Sequence, residues 1–169
     1  MSDDDVVIRR ATARDAHAFH DFWRAIVEEE RFVRTESVRE PVRAFRRRFR
    51  RRDGSEIHLL AFRDDRLVGH VTIERDRHPV TRHVGTLAIA VAAEERGRGI
   101  GRHLMEAGLA WARDVGVEKV VLSVYPHNEV AIALYRSFGF VEEGRLARHS
   151  RKSYGYEDEI LMAAWIGDA

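Results

Sequence analysis

Two short segments carry residue types whose spacing suits chemistry on a phosphorylated ligand. The first is Arg96-Gly97-Arg98-Gly99-Ile100-Gly101, which follows the apolar run Leu87-Ala88-Ile89-Ala90-Val91 and opens a helical pattern. A strand that turns through glycines into a helix presents free backbone N–H groups and the positive end of the helix dipole. The glycines let a phosphate approach with no Cβ in the way. Two common phosphate loops do not fit. A P-loop needs Lys followed by Ser or Thr after its last glycine, and a dinucleotide loop needs a third small residue where Arg102 or Leu104 stands. What is left is Arg-x-x-Gly-x-Gly. The second segment is Pro126-His127-Asn128-Glu129-Val130-Ala131-Ile132-Ala133-Leu134-Tyr135-Arg136-Ser137-Phe138-Gly139-Phe140. Asn128 and Tyr135 stand about two helical turns apart, so they share a face that Ala131 keeps thin, and that face could line a ligand channel. On spacing alone, Asn128 also reads as a helix cap and nothing more, and Tyr135 as a half-buried core phenol.

The elements that position these segments belong to a chain of 169 residues, long enough for one domain with a sizeable core, and residues 1–169 are read as one. Hydrophobic residues make up 44% and charged residues 34%, a balance that places the chain among globular rather than disordered proteins. The net charge of +1 gives no global pull toward nucleic acid or membrane, so an anion site has to be local. Lys119 and Lys152 are the only lysines among 29 basic residues. Cysteine is absent, which excludes disulfides, thiolate metal sites and a cysteine nucleophile. Met1-Ser2-Asp3-Asp4-Asp5 is acidic where a secretory leader is basic, and no apolar run approaches a membrane span, so a cytoplasmic protein is expected.

Periodicity predicts a short strand at Val6–Ile8, an amphipathic helix from Asp15 to Glu30, a connector, and a very basic helix from Arg39 to Arg52 closed by Asp53-Gly54. Strands at Ile57–Arg63 and Arg66–Glu74 form a hairpin about Asp64-Asp65, and a third at Val84–Val91 pairs with the second. Then follow a helix at Gly99–Val115, a strand at Lys119–Val124, a helix at Glu129–Phe138, and strands at Phe140–Arg145 and Glu157–Trp165. Strand, helix, strand over 84–124 implies a parallel pair, while the other strands meander. The expected fold is α/β in the α+β sense, a mixed and mostly antiparallel sheet flanked by helices.

Taken together, the two segments resemble the GCN5-related N-acetyltransferase (GNAT) superfamily. Arg96, Gly99 and Gly101 match its Gln/Arg-x-x-Gly-x-Gly/Ala acetyl-coenzyme A motif. Asn128, Ala131, Tyr135, Gly139 and Phe140 match its later Asn-x-x-Ala-x-x-x-Tyr segment ending in Gly-Phe. The resemblance covers residues 55–145, and residues 1–54 share only a strand and two helices with it. It implies an acyl-CoA N-acyltransferase fold with a splayed parallel strand pair, and acetyl-CoA as cosubstrate with no metal. The N–H groups from Gly97 through Arg98, Gly99, Ile100 and Gly101 to Arg102 would hold the pyrophosphate, and the pantetheine arm would pair with Ile89-Ala90-Val91. An N–H near Ala90 or Val91 would steady the thioester carbonyl. Asn128 would contact the cofactor arm, and Tyr135 would be the general acid toward the leaving thiolate. Family members often dimerise, although nothing in the chain marks an interface.

For the general base, relatives carry a carboxylate where this chain reads His83-Val84-Gly85-Thr86. His83 is one candidate, and Glu36 or Glu74 another, each with the alternative of a plain exposed or strand-pairing polar residue. The acceptor amine would enter between the 28–38 connector and a loop from Arg148 to Tyr154. Glu28, Glu29, Glu30 and Glu36 could draw an ammonium there, and Arg34, Arg148 and Arg151 a carboxylate. The ending from Tyr154 to Met162 looks like that of relatives acting on small amino-bearing molecules. The expected function is therefore acetyl transfer to a small-molecule amine or amino acid, with a protein N-terminus or side chain, as in ribosomal-protein acetylation, as the alternative. Arg43, Arg46, Arg47, Arg48, Arg50, Arg51 and Arg52 interleave with Phe45 and Phe49. They read as a solvated face of a half-buried helix, or else as a ridge docking RNA or an acidic protein; in a chain of balanced charge a nucleic-acid partner is disfavoured. A coenzyme A-binding fold without catalysis is disfavoured because Arg96, Gly99, Gly101, Asn128 and Tyr135 are all present.

Overall fold

The computed structural model describes residues 6–167, and the acidic run Met1–Asp5 lies outside them. Seven strands form one sheet: β1 (Val6–Arg10), β2 (Glu56–Arg63), β3 (Arg66–Arg75), β4 (Val84–Val91), β5 (Lys119–Val124), β6 (Val141–Lys152) and β7 (Gly155–Trp165). Their order is β1-β2-β3-β4-β5-β7-β6, and every neighbouring pair is antiparallel except β4 with β5. This is the mixed α/β sheet expected from the sequence. The β2–β3 hairpin turns at Asp64 and Asp65, both with positive φ (47° and 62°), the two-residue turn whose twist suits a hairpin.

Helices cover both faces. On one, α3 (Ile100–Asp114) and α4 (Glu129–Ser137) bury Ile100, Leu104, Met105, Leu109 and Ile132 against Val71, Ile73, Leu87, Val120 and Leu122. On the other, α1 (Ala16–Glu28) and α2 (Val42–Arg48) bury Phe19, Phe22, Ile26 and Phe45, with Phe49, over Leu60 and Leu67. Strand β3 is sandwiched between these layers. Alternation sends Val71 and Ile73 toward α3, and His70 and Thr72 toward α1. No described helix is long and apolar enough to cross a membrane.

The structure corrects the bounds of two elements and the extent of the basic ridge. The basic helix is shorter than the expected 39–52 because Pro41 stands at its N-cap and holds the preceding backbone out of the α region. The ridge shrinks as well. Arg48 pairs with Glu40, Arg51 pairs with Glu56, and Arg52 donates to the carbonyls of Phe49 and Arg51, leaving Arg43, Arg46, Arg47 and Arg50 on the open face. The segment Arg148–Tyr154 is not a wide loop. β6 runs on to Lys152, with an irregular register between Leu146 and Ser150, and closes tightly onto Gly155. An edge strand exposed on both faces has no apolar alternation to betray it; here the ladder and the Arg145–Asp158 pair at 3.0 Å hold it in place.

Gly85, in the stretch where the family resemblance implies a carboxylate, faces the core rather than open space. A Cβ there would stand 2.9 Å from Ile73 Cγ2 and 3.2 Å from Val117 Cγ1. Gly85→Ala should therefore cost about 1–3 kcal/mol through overpacking, read as a lower urea midpoint at unchanged slope. A midpoint equal to that of the parent would contradict this packing.

Candidate active site

β4 and β5 pair over only three positions, Val84↔Lys119, Gly85↔Val120 and Thr86↔Val121. Beyond them β4 stays hydrogen-bonded to β3 as far as Val91, and β5 stays with β7 as far as Val124. Each strand follows its other partner, so the two diverge and leave one edge of Leu87–Val91 without a strand beside it. A cleft of about 1240 Å³ fills the wedge, lined by this edge, the glycine loop, β5, α4, α1 and the 31–40 connector. That is more than a single drug-sized ligand needs and enough for two substrates side by side.

The loop at the mouth of the wedge has the conformation its glycines allow. Gly97 and Gly99 sit at φ 76° and 78°, the left-handed region closed to most side chains, and Gly99 caps α3. Gly101 works differently. A Cβ on it would lie 3.2 Å from Leu134 Cδ2, so its bareness lets α3 approach α4 and brings the two motifs together. Gly97, Gly99, Ile100, Gly101 and Arg102 all reach the cleft wall. Arg98 does not; it lies 3.5 Å from Glu95. Glu95 is buried and also meets Arg63 at 3.2 Å and Arg66 at 2.9 Å, so one carboxylate pins the turn that enters the loop. Arg96 lies on the wall as a strut: its guanidinium forks onto Glu29 with two contacts of 2.8 Å, and its Nε donates to the Val91 carbonyl at 3.0 Å. The same guanidinium lies over the Phe32 ring.

Asn128 is both things the sequence left open. Its side-chain oxygen accepts from the Ala131 N–H at 3.3 Å as the cap of α4, and the residue lines the cleft with Ala131 and Tyr135. Tyr135 is 6% exposed, packed against Phe140. Burial alone pushes its phenol up to about 12, so the group holds its proton across the working range of any enzyme.

The structure brings Ile89, Ala90, Val91, Asn128 and Tyr135 to one cleft, and it leaves every base candidate named from the sequence outside. His83 lies at the opposite end of β4, where its carbonyl accepts from Glu118 and Lys119 and its ring neighbours Trp165. Glu36 and Glu74 are exposed and off the wall, because both face solvent rather than the wedge. Arg34 reaches the cleft, but Arg148, which lies over Tyr156, and Arg151 do not. Of the acidic run at 28–30, Glu29 is taken by Arg96.

Four polar side chains in or behind the cleft wall escape the sequence reading. Glu159, 1% exposed, accepts from Ser123 and Ser150 and lies 3.6 Å from Arg34; these partners outweigh its desolvation and hold its carboxyl below the usual range. Lys152, also buried, donates to the carbonyls of Val33 and Arg34 and ties β6 to the connector. His58 and His70 stack in the wall with Nδ1 and Nε2 3.0 Å apart. The available signal was a polar residue at an inward-facing strand position, which is weak when read from one chain.

A sequence profile of the Acetyltransferase (GNAT) family matches residues 19–140. The L-amino acid N-acetyltransferase AaaT of Escherichia coli (strain K12) is 29% identical over 164 residues, which span 94% of this chain and 97% of that protein. The ribosomal-protein-alanine N-acetyltransferase of Brucella melitensis superposes with a TM-score of 0.85 at 29% identity, covering 94% of this chain and 99% of its own. The structure of yncA from Salmonella typhimurium with its cofactor acetyl-CoA shares the fold at a TM-score of 0.88 and 17% identity, over 98% of this chain and 96% of its own. With a matching profile over most of its length, and with the splayed strands, glycine loop and Asn128–Tyr135 face gathered in one cleft, this chain belongs to the GNAT family of acetyltransferases.

Proposed function

We propose that this acetyltransferase passes the acetyl group of acetyl-CoA to the α-amine of a free amino acid. The observation that carries the acceptor class is the pairing of opposite charges on the acceptor side: Arg34 on the cleft wall, 3.6 Å from the buried Glu159. A zwitterion needs both signs at that spacing, a carboxylate meeting the guanidinium and an ammonium feeling the carboxylate behind Ser123. Arg34 is mostly exposed, so its pairing with Glu159 contributes little to stability and leaves it free to turn toward a ligand. The whole-length likeness to an L-amino acid N-acetyltransferase supports the same class. A protein N-terminus carries the ammonium without a nearby carboxylate and would leave Arg34 unmatched.

The residues present fit a pyrophosphate-bearing acyl carrier, since Gly97 and Gly99 form a cradle with no Cβ and the first-turn N–H groups of α3 lie behind it. Bound acetyl-CoA supplies a thioester carbonyl for the amine to attack and a thiolate that departs. The free edge of Leu87–Val91 offers strand-like hydrogen bonds to an extended arm, and an N–H near Ala90 or Val91 stabilises the oxygen on which charge develops. Arg96 fixes that strand end through Val91. Tyr135 donates its proton to the leaving sulfur. Its raised pKa guarantees the proton is present, and the same dry wall that weakens the phenol as an acid also raises the proton affinity of a thiolate.

Tyr135→Phe should lower kcat by about 100-fold or more while the KM for acetyl-CoA changes little, measured as free-thiol release; undiminished turnover would remove Tyr135 as the acid. The phenol is protonated below its pKa of about 12, so kcat should show no alkaline fall up to about pH 10, and a fall centred near 9 would contradict its assignment. A thiol-release screen over amino acids, polyamines, aminoglycosides and short peptides should select free amino acids. Arg34→Ala should raise the KM of the amino acid by about 10-fold and leave that of its carboxamide unchanged. Equal effects on both would break the carboxylate assignment.

A further inference from the structure

Tyr135 accounts for the proton that reaches the leaving sulfur, yet the proton shed by the attacking nitrogen has no carrier among Glu36, Glu74 and His83. One titratable cluster on the wall is unused. His70 on β3 is the register partner of Ala90 on β4, so its side chain emerges on the same sheet face, beside the strand segment assigned to the thioester. Its Nε2 lies 3.0 Å from Nδ1 of His58, the rings are parallel within 8°, and both residues are buried. Behind His58, its buried Nε2 makes no hydrogen bond in this arrangement but lies 3.5 Å from Glu56 Oε2, and Glu56 Oε1 takes a 3.1 Å contact from Arg51. Glu56 and His58 also line a separate small surface hollow with Arg10, Arg48, Arg51 and Arg52. His58 thus belongs to both the cleft wall and this hollow.

From these contacts we infer that His70 is the general base toward the attacking amine, and that His58 and Glu56 carry its proton through the protein to the arginine-lined hollow. The inference rests on the acetyltransferase reading above. Glu56 sets the starting tautomers. A carboxylate facing His58 Nε2 favours a proton on that nitrogen, which leaves Nδ1 bare to accept from His70 Nε2–H, and so leaves Nδ1 of His70 as the free base. As the amine bonds to the carbonyl carbon, its N–H bond breaks and the proton goes to His70 Nδ1. The His70 Nε2 proton passes to His58 Nδ1, and the His58 Nε2 proton passes to Glu56, which releases it to water in the hollow. One proton enters and one leaves, and neither ring keeps a charge. The tautomers, left inverted with Nδ1 protonated on both rings, reset before the next turnover as the hops run backwards, Glu56 taking a proton from water in the hollow and His70 Nδ1 releasing one to water in the emptied cleft. Phe19 and Phe49 pack on the rings, and Arg10, Arg48 and Arg51 are the cations around them. Burial first, with Arg48, Arg10 and Arg51 after it, lowers the proton affinity of His58 to about 3, and burial first, with His58 and Arg48 after it, lowers that of His70, so each starts neutral and neither can trap the proton in transit.

The test uses the full chain, acetyl-CoA and an amino acid the wild-type enzyme turns over, followed by thiol release. His70→Gln should lower kcat by about 100-fold with the KM for acetyl-CoA held within about twofold, and His58→Gln should lower kcat by about 10-fold. Added imidazole should restore His70→Ala, which a purely structural role would not permit. The wild-type enzyme should also show a curved dependence of kcat on the deuterium fraction of the solvent, because several protons move together. If His70→Gln keeps kcat, or raises only the KM of the acceptor, the relay is wrong. Should the His70 variants fail to fold, His58→Gln decides: a kcat equal to that of the wild type overturns the relay, and a loss of about 10-fold with a deuterium dependence less curved than that of the wild type upholds it. Absence of wild-type turnover with every amine would instead strike the acetyltransferase reading, and the relay with it.

Discussion

A parallel strand pair that can hold only three residue pairs is the constraint on which the rest of the molecule turns. Both β4 and β5 are claimed along their full lengths by antiparallel partners, β3 and β7, and those partners diverge. The gap is therefore built into the sheet rather than carved into its surface. Backbone donors and acceptors on the free edge of β4 are left where an extended ligand can take the place of a missing strand. Loss of the ladder there costs the fold several hydrogen bonds, and the layers on both faces offset that loss. α3 and α4 pack below the wedge around Leu104, Leu122 and Ile132, while α1 and Phe45 and Phe49 close over its other side.

The glycine loop depends on the same arrangement. Two left-handed glycines alone would make a loose turn, but buried Glu95 gathers Arg63, Arg66 and Arg98 around the entry to the loop, and Gly101 seats α3 against Leu134 of α4. The cradle and the Asn128–Tyr135 face are thus held by one helix contact. Preorganisation of this kind matters because donors that are already in place need no reorganisation when charge develops.

Much of this was legible in the sequence because it rests on local chemistry. The bounds of β4 and β5 follow from β-branched and apolar runs between turn residues, the hairpin from Asp64-Asp65, and both ligand motifs from residues whose neighbours in the chain are their neighbours in space. The remainder depends on contacts between segments far apart in the chain. His58 and His70 read as ordinary strand residues until β2 and β3 pair, and Glu159 looks like one more acidic residue in a charged tail until Ser123 closes on it. His83 is a different case: its type suits a base, but it stands just before β4, at the end away from Leu87–Val91, where its carbonyl caps the start of β5. Strand β6 was cut short in the reading because an exposed edge leaves no hydrophobic pattern.

The Arg96 strut joins three parts of the cleft wall: the glycine loop, the end of β4 at Val91 and, through Glu29 and Phe32, the connector after α1. A shift of the loop is therefore transmitted to the connector, because the strut ties both to the end of one strand. Linkage would make any such coupling mutual, so that two ligands held at the ends of the strut would change each other's affinity by the same factor.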